Sequence, residues 1–367
     1  MRLAAALILL VSGSGVSAGD VIPPISGRFY RAVVADQWIV WAEPRQGALS
    51  SIYAYNIDTD QTTSVVADDP STPDVIEATA VIRGDRPWHP QIAVSDGVVV
   101  YSDRRNWSTT RISQLVVHRL DTGVETIIPS IGATRDNQYA SIDGDRLVWQ
   151  YGGWGVLGNQ IDGGTLQYLG GGLYPDVTGD VAVWKTGETG AQIRYYNLAT
   201  RQSGLAFDAT DMQTPRQPVI DGDIIAWSMR DLTSGQNIVS IMAYDMSTGQ
   251  LITAKDDIGS FEHRANVAIS NRIIVWEDWR HNPARNTDRI DLDVYGYDVA
   301  TGREVPIATG PGNQHEPWID GDIVVWSDDS TGTKQIGWTR LSEMPEPGSI
   351  MLMLGAAGAM AMRRKKQ

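Results

Sequence analysis

The sequence predicts an all-β fold in which one four-stranded unit is repeated around a ring. Three observations predict it. An apolar phrase closed by Trp or Tyr recurs seven times, at Trp41, Tyr101, Trp149, Trp184, Trp227, Trp276 and Trp326. Self-similarity at a roughly constant period signals a repeat architecture. The strands ending in these anchors are apolar at every position. No helical periodicity of useful length occurs between Gly19 and Ser342.

Each unit opens with a hairpin of two apolar strands around an Asp/Gly turn. The clearest copies are Ile319-Asp320-Gly321-Asp322-Ile323-Val324-Val325-Trp326 and Ile220-Asp221-Gly222-Asp223-Ile224-Ile225-Ala226-Trp227, with further copies ending at Trp149 and Trp184. A third, alternating strand with a polar turn follows, as in Val294-Tyr295-Gly296-Tyr297-Asp298-Val299-Ala300-Thr301-Gly302. Asp-Gly and Thr-Gly supply the positive-φ positions that tight hairpins need. A short apolar strand such as Val305-Pro306-Ile307-Ala308 completes the unit.

Continuous apolarity separates a ring from a flat sheet. An antiparallel sheet with one wet face alternates polar and apolar residues. Ile323-Val324-Val325-Trp326 does not alternate, so both its faces must be buried, as when a blade lies between two neighbours. The anchors are spaced 60, 48, 35, 43, 49 and 50 residues apart, close to the length of a propeller blade. Seven anchors predict a β-propeller of seven four-stranded blades, with six or eight left open. The anchor Trp is the expected wedge between blades. The last unit shows only three strands, so Val21–Ile25 is expected to supply the fourth and close the ring. The unit between Trp149 and Trp184 is short and Gly-rich, and its strands are the hardest to delimit.

The phrases Gly-Asp-Ile-Val-Val-Trp and Tyr-Gly-Tyr-Asp-Val-Ala-Thr-Gly resemble TolB-like propeller repeats of exported bacterial proteins, over about residues 29–341. The resemblance implies a propeller, used mostly for binding or scaffolding.

The ends read as address labels. Met1-Arg2, the apolar run Leu3–Val11 and Val16-Ser17-Ala18 before Gly19 form a secretory signal with a small-residue cleavage site. This divides the chain into a signal peptide over 1–18, a propeller over 19–341 and a terminal segment over 342–367. In that segment Pro345-Glu346-Pro347 precedes an uncharged stretch, Ile350–Met362, and then Arg363, Arg364, Lys365 and Lys366. Thirteen apolar residues fall short of the roughly 20 of a spanning helix, but they suit transient membrane contact with the basic tail inside. This order resembles the PEP-CTERM sorting signal, with Pro345, Glu346 and Pro347 as its motif. The resemblance implies an exosortase-type processing enzyme as partner, a transmembrane helix before processing, and delivery to the cell surface or matrix of a Gram-negative bacterium.

Composition removes several function classes. The chain has 367 residues, 44 acidic against 30 basic side chains, and no cysteine. Disulfides, thiolate metal sites and cysteine nucleophiles are excluded. Segment 19–345 carries 25 basic and 43 acidic residues, a net charge of −18, so nucleic acid is excluded as a partner.

Candidate chemistry sits where the chain enters each innermost strand. In a propeller these connections gather around one mouth of the central channel, so His89, Gln138, Gln217, His263 and His315 are the candidate ligand-binding rim, with His as metal ligand or acid–base group. No catalytic residue is assigned. Trp41/Glu43/Arg45, Tyr101/Asp103/Arg105 and Trp276/Asp278/Arg280 share a spacing that reads as structural pairing, because it recurs with the repeat. Asp288, Asp291 and Asp293 lack the EF-hand spacing. The expected cofactor is therefore none, calcium at that loop being the one option. Trp107, Trp154 and Trp279 are candidate sugar-stacking aromatics. The favoured function is a non-enzymatic surface or matrix module that binds exopolysaccharide or envelope proteins. The alternative is a polysaccharide-acting lyase or hydrolase with its site at the channel mouth, and a third reading is a periplasmic scaffold.

Overall fold

The computed structural model describes residues 20–25, 29, 31–45, 48–66, 92–103, 113–128, 136–187, 191–259, 265–281 and 291–344. The signal at 1–18, the sorting motif Pro345-Glu346-Pro347, His89, His263, Trp107 and Asp288 lie outside them. Among the described residues no helix is long and apolar enough to cross a membrane.

Seven antiparallel sheets follow one another along the chain, and the fold is a seven-bladed β-propeller. The third blade is typical: Asn137–Asp143, Arg146–Tyr151, Gly155–Gln160 and Gln167–Gly171 run from the axis outward. The Gly-rich unit is therefore complete. In the fifth blade the innermost strand is split into Gln213–Pro215 and Val219–Asp221. Pro218 falls in the break, and its missing N–H cannot join a ladder. The seventh blade takes Asp20–Ile22 as its outermost strand, antiparallel to Gln335–Arg340 with Val21 opposite Gly337. The expected closure is present, over three residues. Ile22 is buried against Trp41 and Ile336, while Ile25 is exposed.

The core consists of seven apolar layers, one between each pair of neighbouring blades. Each anchor lies in the layer shared with the preceding blade. Along Ile323–Asp328, Val324 and Trp326 face the sixth blade, whereas Ile323 and Val325 face the first. Burial on both faces is why this strand is apolar throughout. The indole N–H of Trp41 donates to Glu43 and that of Trp276 to Asp278, both at 2.8 Å. Arg280 forks over Asp278 and Glu304, so in the sixth blade this motif is structural, while Arg105 lies outside the described residues. Trp279, expected as a surface aromatic, is buried beside Ile258 because its backbone N–H docks on the Ile258 carbonyl.

Seven tight turns gather at one end of the channel. In each, the residue five before the anchor is left-handed: Asp36, Asp96, Gly144, Gly179, Gly222, Asn271 and Gly321. These turns are joined head to tail by hydrogen bonds. The N–H groups of Asp96, Gly144, Gly179, Gly222, Asn271, Gly321 and Asp36 donate, in that order, to the side chains of Asp36, Ser95, Asp143, Thr178, Asp221, Ser270 and Asp320. Every blade gives one bond and receives one, and the circle is complete.

Candidate functional site

All seven innermost strands line a channel cavity of about 140 Å³. Its walls include Ser95, Tyr139, Asp143, Asp176, Gln217 and Trp318. The end carrying the hydrogen-bonded turns is acidic: burial raises Asp221 and Asp320, and repulsion from Asp143 adds to both.

The opposite mouth is built by strained backbone. Ten residues before their anchors, Tyr139, Tyr174 and Glu316 adopt φ of 51°, 53° and 55°. Each sits at a break in ladder register, between Gln138 and Ser141, Leu173 and Asp176, and His315 and Trp318. A non-glycine residue held left-handed costs on the order of 1–3 kcal/mol, and a bulge re-aims the side chain it carries. Tyr139 and Tyr174 meet edge to face with centroids 5.1 Å apart, and the buried Lys185 ammonium lies 5.7 Å from the Tyr174 ring.

Arg31 occupies the same register in the first blade. Its Nη2 donates to the Pro317 carbonyl at 2.6 Å, and its guanidinium covers the Trp318 ring at 4.6 Å. Among the described residues its buried Nε has no hydrogen-bond partner. Burial pulls its pKa down to about 10 against the attraction of Glu316 and Glu277. Burial pushes Glu316 upward, but Lys334, His315, the Ser327 hydroxyl and Arg31 outweigh it and hold the carboxyl at about 2. Glu277 accepts from the Asn266 amide and the Glu316 N–H. Asp176, on the cavity wall, accepts from the Ser141 hydroxyl at 2.5 Å and the Ile220 N–H at 2.8 Å. Burial nonetheless raises it to about 6, with Asp143 adding repulsion.

Of the expected rim residues, Gln217 lines the cavity, whereas Gln138 is buried on the third blade and is not part of the lining. His315 is buried, with Nε2 3.1 Å from Asp329 and Nδ1 3.6 Å from Glu316. Asp293, a candidate calcium ligand, instead pairs with His281 at 2.6 Å. Among the described residues no group of three or more His, Asp or Glu is arranged to hold a metal ion. Sequence reasoning missed Arg31, Tyr139, Tyr174 and Asp176; counting back ten and eight residues from each anchor would have found their level.

No protein-family model matches the chain, and no curated protein matches it. Solved structures do. A puromycin-hydrolysing peptidase of Mycobacterium tuberculosis matches with a TM-score of 0.59 at 13% identity, over 90% of this chain and 56% of that one. The chain thus spans about half the peptidase's length. An oligogalacturonate lyase of Vibrio parahaemolyticus matches with a TM-score of 0.59 at 12% identity, over 89% of this chain and 99% of the lyase. An oligogalacturonate lyase in complex with manganese matches at 0.53 and 12% identity, covering 90% and 99%. These likenesses establish the fold. They also correct the expectation of a non-enzymatic binding or scaffold module, since these similar propellers are enzymes and fit the polysaccharide-enzyme alternative better.

Proposed function

We propose that the protein is a polysaccharide-acting enzyme with its site at the channel mouth built by Arg31, Tyr139, Tyr174 and Asp176, and that it is a lyase. The observation that carries this reading is the set of strained bulges, Tyr139, Tyr174 and Glu316, at one level of the mouth. Strain of this kind persists where surrounding structure enforces it, and it clusters at functional sites. The lyase whose whole length the chain matches acts, by its description, on oligogalacturonate, and an acidic sugar suits a mouth holding Arg31.

Elimination fits the groups better than hydrolysis. A hydrolase needs a protonated acid opposite a carboxylate, whereas at neutral pH Asp176, at about 6, and Glu316, at about 2, are both mainly ionised. In elimination, Arg31 neutralises the uronate carboxylate and so acidifies the adjacent C–H. Asp176, with a pKa of about 6, is ionised at neutral pH and suited to take that proton. The electron pair forms the C=C bond, the C–O bond to the neighbouring sugar breaks, and a phenol of Tyr139 or Tyr174 protonates the departing oxygen. Export through segment 1–18 and sorting through 342–367 belong to the same proposal, placing the enzyme where exopolysaccharide is found.

The test is incubation with oligogalacturonate and with alginate. Elimination yields an unsaturated, ultraviolet-absorbing product; hydrolysis yields reducing ends alone. Arg31→Ala and Asp176→Asn should each lower kcat/KM at least about a hundredfold. Reducing ends without new absorbance would overturn the lyase assignment, and no turnover of either polymer would overturn the proposal.

A further inference from the structure

Among the described residues, one sector of the mouth face carries only short connections. A single residue, Gly172, joins Gln167–Gly171 to Leu173–Thr178, and three residues, 152–154, join Arg146–Tyr151 to Gly155–Gln160. Corresponding connections among the described residues are longer: 232–237 and 329–334 between second and third strands, and 309–313 between the sixth and seventh blades. Gly172 is pressed onto the core: a Cβ there would overlap the Trp184 indole, and the Trp184 Nε1–H donates to the Gly171 carbonyl at 3.2 Å. The Gly172 N–H donates to the Trp154 carbonyl at 2.9 Å. The third blade therefore reaches its rim as a low shelf of bare backbone.

Aromatic rings stand along this shelf. Register places Asn137 opposite Tyr151, Tyr151 opposite Gly155 and Gly155 opposite Gly171. That row runs outward from the strand that carries Tyr139. Tyr168 and Tyr151 border Gly155, where a Cβ would stand 3.4 and 3.7 Å from them. Trp154 is 58% and Tyr168 66% exposed, the two most exposed aromatic side chains among the described residues. Aromatics exposed singly are ordinary, but two on one blade beside a strained mouth offer a stacking surface.

We infer that a sugar chain bound at the mouth runs outward across the third blade, stacking on Trp154 and Tyr168, so that the site binds sugar units beyond those at the mouth. This rests on the reading of the mouth as a polysaccharide site. A sugar ring presents an apolar C–H face that lies flat on an aromatic ring, with its hydroxyls left in water. The glycines give it room: among the described residues nothing lies within 4 Å of a Cβ at Gly153. The shelf leads directly to Tyr174, two residues beyond Gly172, no more than roughly 7 Å of extended chain.

Affinity electrophoresis of the full chain through gels containing polygalacturonate, alginate or a neutral β-glucan tests this. Trp154→Ala and Tyr168→Ala should each weaken retardation about tenfold in Kd, with unchanged thermal midpoints because both side chains are exposed. Trp154→Phe and Tyr168→Phe should retain most of the binding. Leu251→Ala, on the outer strand of the fifth blade, should match the unmodified protein. Wild-type retardation of both alanine variants, with loss in Arg31→Ala, would overturn the shelf and leave the mouth standing. No retardation of the unmodified protein in any gel would overturn both.

Discussion

The Oδ2 of Asp320 accepts the backbone N–H of Asp36 at 2.7 Å, between residues 284 apart in sequence. This bond joins the last blade to the first and completes the circle of seven at the acidic end of the channel. A charged acceptor for a backbone donor is worth about 1.5–3 kcal/mol. Asp320→Ala should therefore lower stability by about 2 kcal/mol, while Asp320→Asn, which keeps an acceptor oxygen, should lose less than half of that. Urea unfolding of the three proteins checks the order.

Asp278 is fully buried and serves two donors, the Trp276 indole and the Arg280 guanidinium. Removing one partner of a buried pair strands the other charge, at a cost of about 3–5 kcal/mol. Arg280→Met, which leaves the buried Asp278 charge without its guanidinium, should unfold at much lower denaturant than Asp278→Leu/Arg280→Met, which removes both charges. Equal midpoints for the two variants would contradict the account.

The dependence of stability on pH has two limbs. Asp176 binds its proton more tightly in the folded state, at about 6 against 3.8, so stability falls as pH rises between those values; Asp221, Asp293 and Asp320 act in the same direction. Glu316 is held at about 2 against 4.5. Its contribution is complete above 4.5 and is lost as pH falls toward 2. Stability should peak between about pH 4 and 5. Asp176→Asn should flatten the neutral limb and Glu316→Gln the acid limb, read from thermal midpoints across both.

Deleting Asp20–Ile22 should uncover the edge of Gln335–Arg340 and remove the buried Ile22 side chain. An unpaired edge is a template for aggregation, so light scattering on warming should rise at a lower temperature. Ile22→Ala alone should cost about 2–5 kcal/mol without exposing the edge, and should unfold early yet remain dispersed.

The ring was legible because burial on both faces forces a readable code. Ile323, Val324, Val325 and Trp326 each meet a neighbouring blade, so none can be polar, and the hairpin before them needs a left-handed residue that Asp-Gly supplies. The circle of hydrogen bonds was hidden because its chemistry is conserved while its residue type is not. Asp143, Thr178 and Ser270 all act as acceptors, and in the first blade, where Ala35 has no acceptor, the role moves to Asp36. The mouth was less legible still. Tyr139, Tyr174 and Glu316 are left-handed without being Gly or Asn, so tertiary packing, and no local preference, dictates their backbone. His315 drew attention by its residue type and proves to be held by Asp329 and Glu316.

Pairing Val21 with Gly337 sets a timetable for folding. Six blades are made of consecutive segments and can assemble as the chain emerges. The seventh needs both the first strand and the last, so the disc stays open until almost all of it has been synthesised. Closing so long a loop adds only a logarithmic entropy penalty, but it delays the final cooperative step. Under the export proposed above, such lateness would keep the N-terminal strand unpaired until its C-terminal partner has crossed the membrane.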